Sequence, residues 1–248
     1  MITNAVSGTR IDEVAQGIYR INTPLDIVPG GFNVNQYLII DEEPMLFHTG
    51  WRKMFLLVAE AISKILPVNR LRHVGFSHFE GDECGAMNEF LEVAPNANPF
   101  GSEIGVMISM NDFASRPGRG LKDGELFQIG DRRLRWMYTP HVPHGWDCGV
   151  LFDEMTETLL CGDLFTHGGR ETPAVTEDDI LAPSEQFRKP MDYYAHSVGT
   201  DAIFERLEAL RPKMLACQHG SAYRGEGADL LRELRTRLAS ERVMAVAA

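Results

Sequence analysis

Residues that can bind metal ions occur in this sequence directly after several of its apolar segments. A His-x-Glu-x-Asp stretch follows the short apolar strand predicted at residues 71–77. Imidazole and carboxylate groups together suit zinc, iron or manganese, and a carboxylate can bridge two ions. The candidate ligands are His78, Glu80, Asp82, His144, Asp163 and His219. Their types predict a dinuclear metal site.

The later candidates also stand where predicted strands end. Strands predicted at 132–139, 158–161 and 214–217 precede His144, Asp163 and His219, respectively. Sheets of α/β proteins place their binding sites at strand ends, so we expect these side chains to meet there. Gly81 eases the turn after the first histidine, and Asp82 begins the next helix, where negative charge is favoured.

The rest of the pattern predicts strands and helices in both halves of the chain. The first half has strands at 17–21 and 35–40, a hairpin return at 45–48 and an amphipathic helix at about 52–66. The second half has strand pairs at 125–129 with 132–139 and 148–152 with 158–161, helices near 185–209 and a helix at about 228–243. Interleaved strands and helices without a linker favour one α/β domain, residues 1–248, with packed sheets covered by helices.

Composition excludes several classes of protein. The chain is 44% hydrophobic and 24% charged, as in an ordinary globular protein, and its net charge of −11 argues against nucleic-acid binding. No apolar run is long enough to cross a bilayer, and residues 1–13 lack the features of a signal peptide. We therefore expect a cytoplasmic protein with neither membrane nor nucleic-acid partners.

The four cysteines are scattered and show no Cys-x-x-Cys spacing; they are Cys84, Cys148, Cys161 and Cys217. This distribution fits reduced thiols better than a disulfide framework. We interpret them as small packing residues near a buried site.

Taken together, four segments carry a family resemblance: HFEGD (78–82), HGWDC (144–148), GDLF (162–165) and HG (219–220). The set resembles the metallo-β-lactamase fold, and within it the diiron branch of flavodiiron and oxygen-binding diiron proteins. The resemblance runs in order over about residues 12–225 and implies an αββα sandwich. Hydrolytic members usually carry His-x-His-x-Asp-His. Glu80 replaces the second histidine, as in the diiron branch, and a carboxylate there favours iron or manganese over zinc.

The resemblance implies a ligand set for two iron ions, with zinc or manganese as the alternative. The first ion would take His78, Glu80, His144 and a bridging Asp163, and the second would take Asp82, Asp163 and His219. No flavodoxin-like domain follows before residue 248. A reductase of this kind would therefore need an external electron donor.

Two positions depart from the family pattern. Glu83 stands where a histidine usually can bind the second ion. Glu83 either binds that ion or is a helix N-terminal charge facing solvent. His48 stands where the fold commonly has an aspartate, and we interpret it as a residue packed behind the ligands rather than as a ligand.

Other histidines and aromatic residues have two interpretations each. The spacing to the strand at 149–152 favours His144 over His141 as the ligand, which leaves His141 behind the ligands or facing substrate. We expect His167 in a surface loop rather than over the site. His73 in a strand and His196 in a helix are expected to be structural. Trp146, Tyr193 and Tyr194 either wall the pocket or belong to the core.

The leading hypothesis is a non-haem diiron protein that binds dioxygen or a related small oxidant, as a sensor or as a reductase. The rival is a metal-dependent hydrolase of an ester, lactone, thioester or phosphodiester, in which a bridging hydroxide attacks the substrate. A third hypothesis is a non-catalytic sensing module that docks on a signalling partner. A homodimer is compatible with each.

Overall fold

Two β-sheets of seven strands each form the centre of the computed structural model, which describes residues 1–247, with side chains to residue 241. The first sheet is, in spatial order, β1 (Arg10–Ala15), β2 (Ile18–Leu25), β3 (Phe32–Ile39), β4 (Met45–Phe47), β5 (His73–Gly75), β6 (Asn98–Ser102) and β7 (Arg119–Leu121). The second sheet contains β8 (Leu126–Gln128), β9 (Arg133–Tyr138), β10 (Gly149–Asp153), β11 (Thr158–Gly162), β12 (Val175–Thr176), β13 (Met214–Cys217) and β14 (Ala222–Arg224). Its spatial order is β12-β14-β13-β11-β10-β9-β8.

Helices lie along the chain between these strands. They are α1 (Phe55–Ile62), α2 (Gly81–Cys84), α3 (Met87–Val93), α4 (Glu103–Gly105), α5 (Asn111–Phe113), α6 (Leu181–Met191), α7 (Thr200–Ala209) and α8 (Gly227–Ala247). No helix among residues 1–247 is long and apolar enough to cross a membrane.

The alternation of side chains along the strands produces the αββα sandwich that the family resemblance implies. On β3, Leu38 packs toward the cluster that includes α1 and α3, whereas Tyr37 packs between the two sheets. On β11, Leu160 packs between the sheets and Leu159 packs toward α6, α7 and α8. Successive strand residues point to opposite faces, so each buried strand serves two apolar layers.

Several predicted elements are confirmed. The strand 214–217 has the predicted bounds, and the return strand at 45–47 pairs antiparallel with β3. The helix predicted at about 52–66 is shorter, because α1 ends at Ile62. The prediction of helix at His196 is wrong: Asp192 adopts a left-handed φ of 48° and ends α6, and His196 lies in the segment before α7.

The two sheets are joined where the candidate ligands lie. The amide of Gly149, at the start of β10, donates to the carbonyl of Ser77 in the loop after β5. The amide of Gln218, just after β13, donates to the carbonyl of Gly162 at the end of β11. The first hydrogen bond joins the two sheets at the ends of β5 and β10, and the second joins the ends of β11 and β13 within the second sheet. This is the edge at which the sequence predicts a site.

Candidate metal centre

Four of the predicted ligands converge at one point. One ligand atom each from His78, Glu80, His144 and Asp163 lies within 4.8 Å of the others. Glu80 Oε2 lies 2.8 Å from Nε2 of His78 and 3.1 Å from Nε2 of His144. Asp163 Oδ2 faces the same two nitrogens at 3.8 and 3.5 Å.

The other two predicted ligands meet on the opposite side of Asp163. His219 Nε2 lies 3.3 Å from Asp82 Oδ2 and 3.3 Å from Asp163 Oδ1. One carboxylate oxygen of Asp163 therefore faces the first group, and the other oxygen faces this second group. That arrangement is what a carboxylate shared by two cations requires.

Hydrogen bonds orient the imidazoles so that their Nε2 atoms face the carboxylates. His219 Nδ1 donates to the carbonyl of Asn33 at 2.8 Å, and its ring stacks on Phe32 with centroids 4.5 Å apart. His78 Nδ1 lies 3.1 Å from Glu83 Oε1. In a neutral imidazole the second nitrogen is an acceptor, so both Nε2 lone pairs point at carboxylate oxygens.

Imidazole Nε2 lone pairs that face carboxylate oxygens need a cation, either a proton or a metal ion, between them. The Asp163 Oδ1 atom is buried and makes no hydrogen bond. Imidazole Nε2 and carboxylate oxygen are the donors that iron, manganese and zinc bind, and the excess of carboxylates suits the harder iron or manganese. The residues present therefore fit a dinuclear metal site.

Electrostatics of the same groups favour positive charge. Burial alone would lower the pKa of His219, but the carboxylates of Asp163 and Asp82 outweigh it and raise this pKa to about 10. Hydrogen bonding to His144 and His78 lowers the pKa of Glu80 below its usual range. These carboxylates thus stabilise any cation at the site, whether a proton or a metal ion.

Glu83 lies in the first turn of α2 but does not face solvent, so the interpretation as a solvent-facing charge is wrong, and its carboxylate lies on the Nδ1 side of His78. Its side chain is 0% exposed. The amides of Ser77 and His78 both donate to Glu83 Oε2 at 2.8 Å, and the Ser77 hydroxyl donates to Oε1. Glu83 therefore fixes the backbone before the first ligand and also the ring of that ligand.

His48 lies behind this carboxylate, as the sequence interpretation expects. Its Nε2 is 3.6 Å from Glu83 Oε2, and the residue is 0% exposed. Burial lowers the pKa of His48, while the nearby Glu83 opposes that shift. The two positions that depart from the family pattern are thus neighbours in space.

His167 is buried at 6% exposure, and the expectation of a surface loop histidine is wrong. Its Nδ1 donates to the carbonyl of Phe165 at 2.8 Å, and its Nε2 accepts from the amide of Ser221 at 2.9 Å. His167 thereby ties the loop after Asp163 to the loop after His219.

A cavity of about 470 Å³ opens over the cluster of candidate ligands. Its wall is largely apolar and consists of Ile27, Val28, Phe32, Phe187, Met191 and Tyr193, with Thr166 beside them. The Tyr193 hydroxyl donates to the Asp163 carbonyl at 3.1 Å, so Tyr193 walls the pocket whereas Tyr194 is buried in the core. Trp146 belongs neither to the pocket wall nor to the core, because it is 54% exposed and does not line the cavity. The exposed His141 does not line it either.

Sequence reasoning missed most of this wall. Ile27 and Val28 come from the loop before β3, and Phe187 and Met191 come from α6. No spacing rule joins segments so far apart along the chain. The cysteines are all buried and form no disulfide, and burial raises the pKa of Cys84 to about 12, which disfavours its thiolate form.

Comparison with known proteins places this site in a family context. The sequence model described as "ODP family beta lactamase" matches residues 32–220. The chain is 25% identical over 207 residues to the rubredoxin-oxygen oxidoreductase of Megalodesulfovibrio gigas, covering 79% of this chain and 50% of that protein. It is 26% identical over 201 residues to the type A flavoprotein fprA of Rhodobacter capsulatus, covering 77% of this chain and 44% of that protein.

Solved structures share the same fold. A single-residue mutant of the flavo di-iron protein from Thermotoga maritima superposes with a TM-score of 0.80 at 18% identity, covering 90% of this chain and 61% of that chain. The chain spans about a third to a half of the length of the curated relatives it matches.

Proposed function

Because the chain belongs to the ODP beta lactamase family, we propose that it is a non-haem diiron protein that binds dioxygen or a related small oxidant. The observation that supports this most is Glu80, a carboxylate shared between His78 and His144 within an otherwise His/Asp cluster. The M. gigas relative is named as an oxygen oxidoreductase, which agrees with the proposal.

In this proposal His78, Glu80, His144 and Asp163 hold the first iron ion, and Asp82, Asp163 and His219 hold the second. The distances from Asp163 to both groups support a bridging role for this residue. A second ion would have three protein donors, because Glu83 is oriented toward His78 and not toward Asp82 and His219. Such an ion would have open positions for a small ligand.

The protein residues would hold the ions in place, and two bound ferrous ions would supply the electrons for the reduction of dioxygen. Glu83 holds the His78 ring and the Asn33 carbonyl holds the His219 ring, so neither ligand needs to reorganise. The Tyr193 hydroxyl bonds the Asp163 carbonyl and fixes the loop that carries the bridging carboxylate. Apolar side chains line the cavity beside the proposed ligands. An external donor would return electrons in a reductase.

Anaerobic reconstitution with ferrous iron, followed by exposure to dioxygen, tests the proposal. We expect a new visible absorption band as the irons oxidise and acquire anionic ligands. Asp178→Asn, which changes an exposed carboxylate outside the cluster, should behave like the unmodified protein. Asp163→Asn should give no such band. A reconstituted protein that shows no band after oxygen exposure would contradict the proposal.

A metal-dependent hydrolase is the second candidate, and the cavity supports it. A volume of about 470 Å³ exceeds what dioxygen needs and accommodates an ester, lactone or thioester with an apolar body. A phosphodiester fits less well, because its charge would face Glu80, Asp82 and Asp163. Turnover of such esters by zinc- or manganese-loaded protein, with no response of the iron form to oxygen, would favour this candidate.

A further inference from the structure

The cavity above the cluster of candidate ligands has a much larger volume than the proposed small oxidant occupies. A water molecule occupies about 30 Å³ in the liquid, and dioxygen is of similar size. The cavity of about 470 Å³ is instead in the range of sites for organic molecules. A second ligand, much larger than dioxygen, therefore fits beside the ions.

The charges around the cavity restrict what that ligand can be. Three carboxylates, those of Glu80, Asp82 and Asp163, line it. Among the described residues that line it there is no Lys or Arg. A ligand that carries phosphate or carboxylate groups would be desolvated beside negative charge without a cation to pair with it. Uncharged ligands are favoured.

The aromatic wall further favours a ring. Phe32 and Phe187 both line the cavity, and their rings stack with centroids 5.3 Å apart and planes 15° apart. Phe32 in turn stacks on His219, a proposed ligand of the second ion, at 4.5 Å. A flat ring against this wall would lie close to the metal centre and would gain aromatic contact as well as apolar burial.

We propose that this cavity binds an uncharged aromatic reductant of the hydroquinone class, which supplies electrons directly to the metal centre. The inference rests on the proposed diiron function. The hydroquinone loses two electrons and its two hydroxyl protons and becomes the quinone. Dioxygen takes two electrons and two protons to give hydrogen peroxide, or takes four of each from two hydroquinones to give two water molecules.

Binding is tested first on metal-free protein, which separates this inference from the proposed oxygen chemistry. 2-Naphthol is an uncharged two-ring probe that does not donate electrons readily, and naphthalene-2-sulfonate is its charged counterpart. Calorimetry should detect binding of the naphthol and at least about tenfold weaker binding of the sulfonate. Equal binding of the two probes, or no binding of the naphthol, would overturn the inference.

Variants that fill the cavity locate the bound probe. Val28→Trp adds bulk to the wall, and Met191→Trp does so at a residue that is 60% exposed and tolerant of change. Each should weaken naphthol binding at least about tenfold. Val198→Trp is the matched control, because Val198 is fully exposed and does not line the cavity. Unchanged naphthol binding in both filled variants would contradict the assignment. Loss of naphthol binding as the protein concentration rises would also contradict it, because a second copy of the chain would then cover the cavity.

The electron-donor role is tested on iron-loaded, oxidised protein under anaerobic conditions. 1,4-Dihydroxynaphthalene should bleach the visible band in the unmodified protein and in Val198→Trp, and about tenfold more slowly in Val28→Trp. Equal rates in all three proteins would overturn this role. If the iron form shows no visible band but naphthol binds to metal-free protein, the proposed function fails while the cavity assignment stands.

Discussion

Glu83 Oε1 lies 3.1 Å from Nδ1 of His78, so this buried carboxylate orients the ring of a proposed metal ligand. The same carboxylate accepts hydrogen bonds from the amides of Ser77 and His78. The geometry of the proposed site for the first ion therefore depends on a residue outside the set of proposed ligands.

Removing the charge of Glu83 should weaken metal binding without unfolding the protein. In Glu83→Gln the side-chain amide keeps the shape and one acceptor, but it loses the charge that favours the Nδ1–H form of His78. Carboxylates that support metal-bound histidines typically contribute about 10–100-fold to metal affinity. We expect a loss of this size for ferrous iron in competition with a chromogenic chelator. Glu92→Gln, an exposed change on α3, should leave affinity unchanged. Equal affinities of the two variants would contradict the role of Glu83.

The variants His48→Asp and Glu83→His, made singly and together, should reveal whether these two residues are energetically coupled. His48→Asp places a second buried carboxylate where the imidazole lies 3.6 Å from Glu83, and should cost about 3–5 kcal/mol. Glu83→His removes the acceptor of two backbone amides. The double variant again places a carboxylate beside an imidazole, with the two positions exchanged. In urea unfolding of the metal-free protein, the double variant should lose about 0.5–3 kcal/mol less free energy of unfolding than the two single variants lose in sum. Simple additivity would show that the pair is not coupled.

Gly220 should not tolerate a side chain, because the loop that carries His167 approaches it closely. A Cβ there would lie 2.2 Å from the ring of His167, and the φ of 93° is strained for other residues. Gly220→Ala should displace His167, break its bond to Ser221 and shift the adjacent His219. Gly124→Ala shares a positive φ, 74°, but meets nothing within 4 Å. Gly220→Ala should cost about 2–4 kcal/mol more than this control in denaturant unfolding. Equal costs would mean that the contact is unimportant.

The helix that carries the cavity wall depends on a buried ion pair. Arg188 on α6 donates to Glu185 at 2.6 and 2.9 Å and to Glu241 on α8 at 2.7 Å. Arg188→Met leaves buried Glu185 with only the exposed Lys189, 3.7 Å away, as an ion-pair partner, and should destabilise the protein by about 1–3 kcal/mol. Arg237→Met breaks only an exposed pair with Glu233 and should stay within about 0.5 kcal/mol. Thermal unfolding of both variants measures the two losses in stability. Equal losses would show that the buried ion pair does not stabilise the protein.

The sequence contains enough information to bring together all of the predicted ligands. Each stands just beyond a strand or at the start of a helix, and strand ends of packed sheets converge at a shared edge. Short strands were harder to predict: β6 contains Pro99 and Gly101, which disfavour strand structure, and only its pairing between β5 and β7 makes it one.

The roles that sequence reasoning assigned wrongly all depend on tertiary contacts. Glu83 is buried because the amides of Ser77 and His78 need an acceptor in a tight loop. His167 is buried because the turn at Gly220 brings Ser221 against it. A pattern of residue types along the chain does not encode which loop closes over which side chain.

The number of iron ions bound after anaerobic reconstitution and removal of loosely bound metal distinguishes a dinuclear site from a mononuclear one. We expect two iron ions per chain in the unmodified protein and in Asp178→Asn. We expect one or none in Asp163→Asn, because the groups on either side of Asp163 share its carboxylate. A single iron ion per chain in the unmodified protein, or two ions retained after Asp163→Asn, would contradict a dinuclear site bridged by this residue.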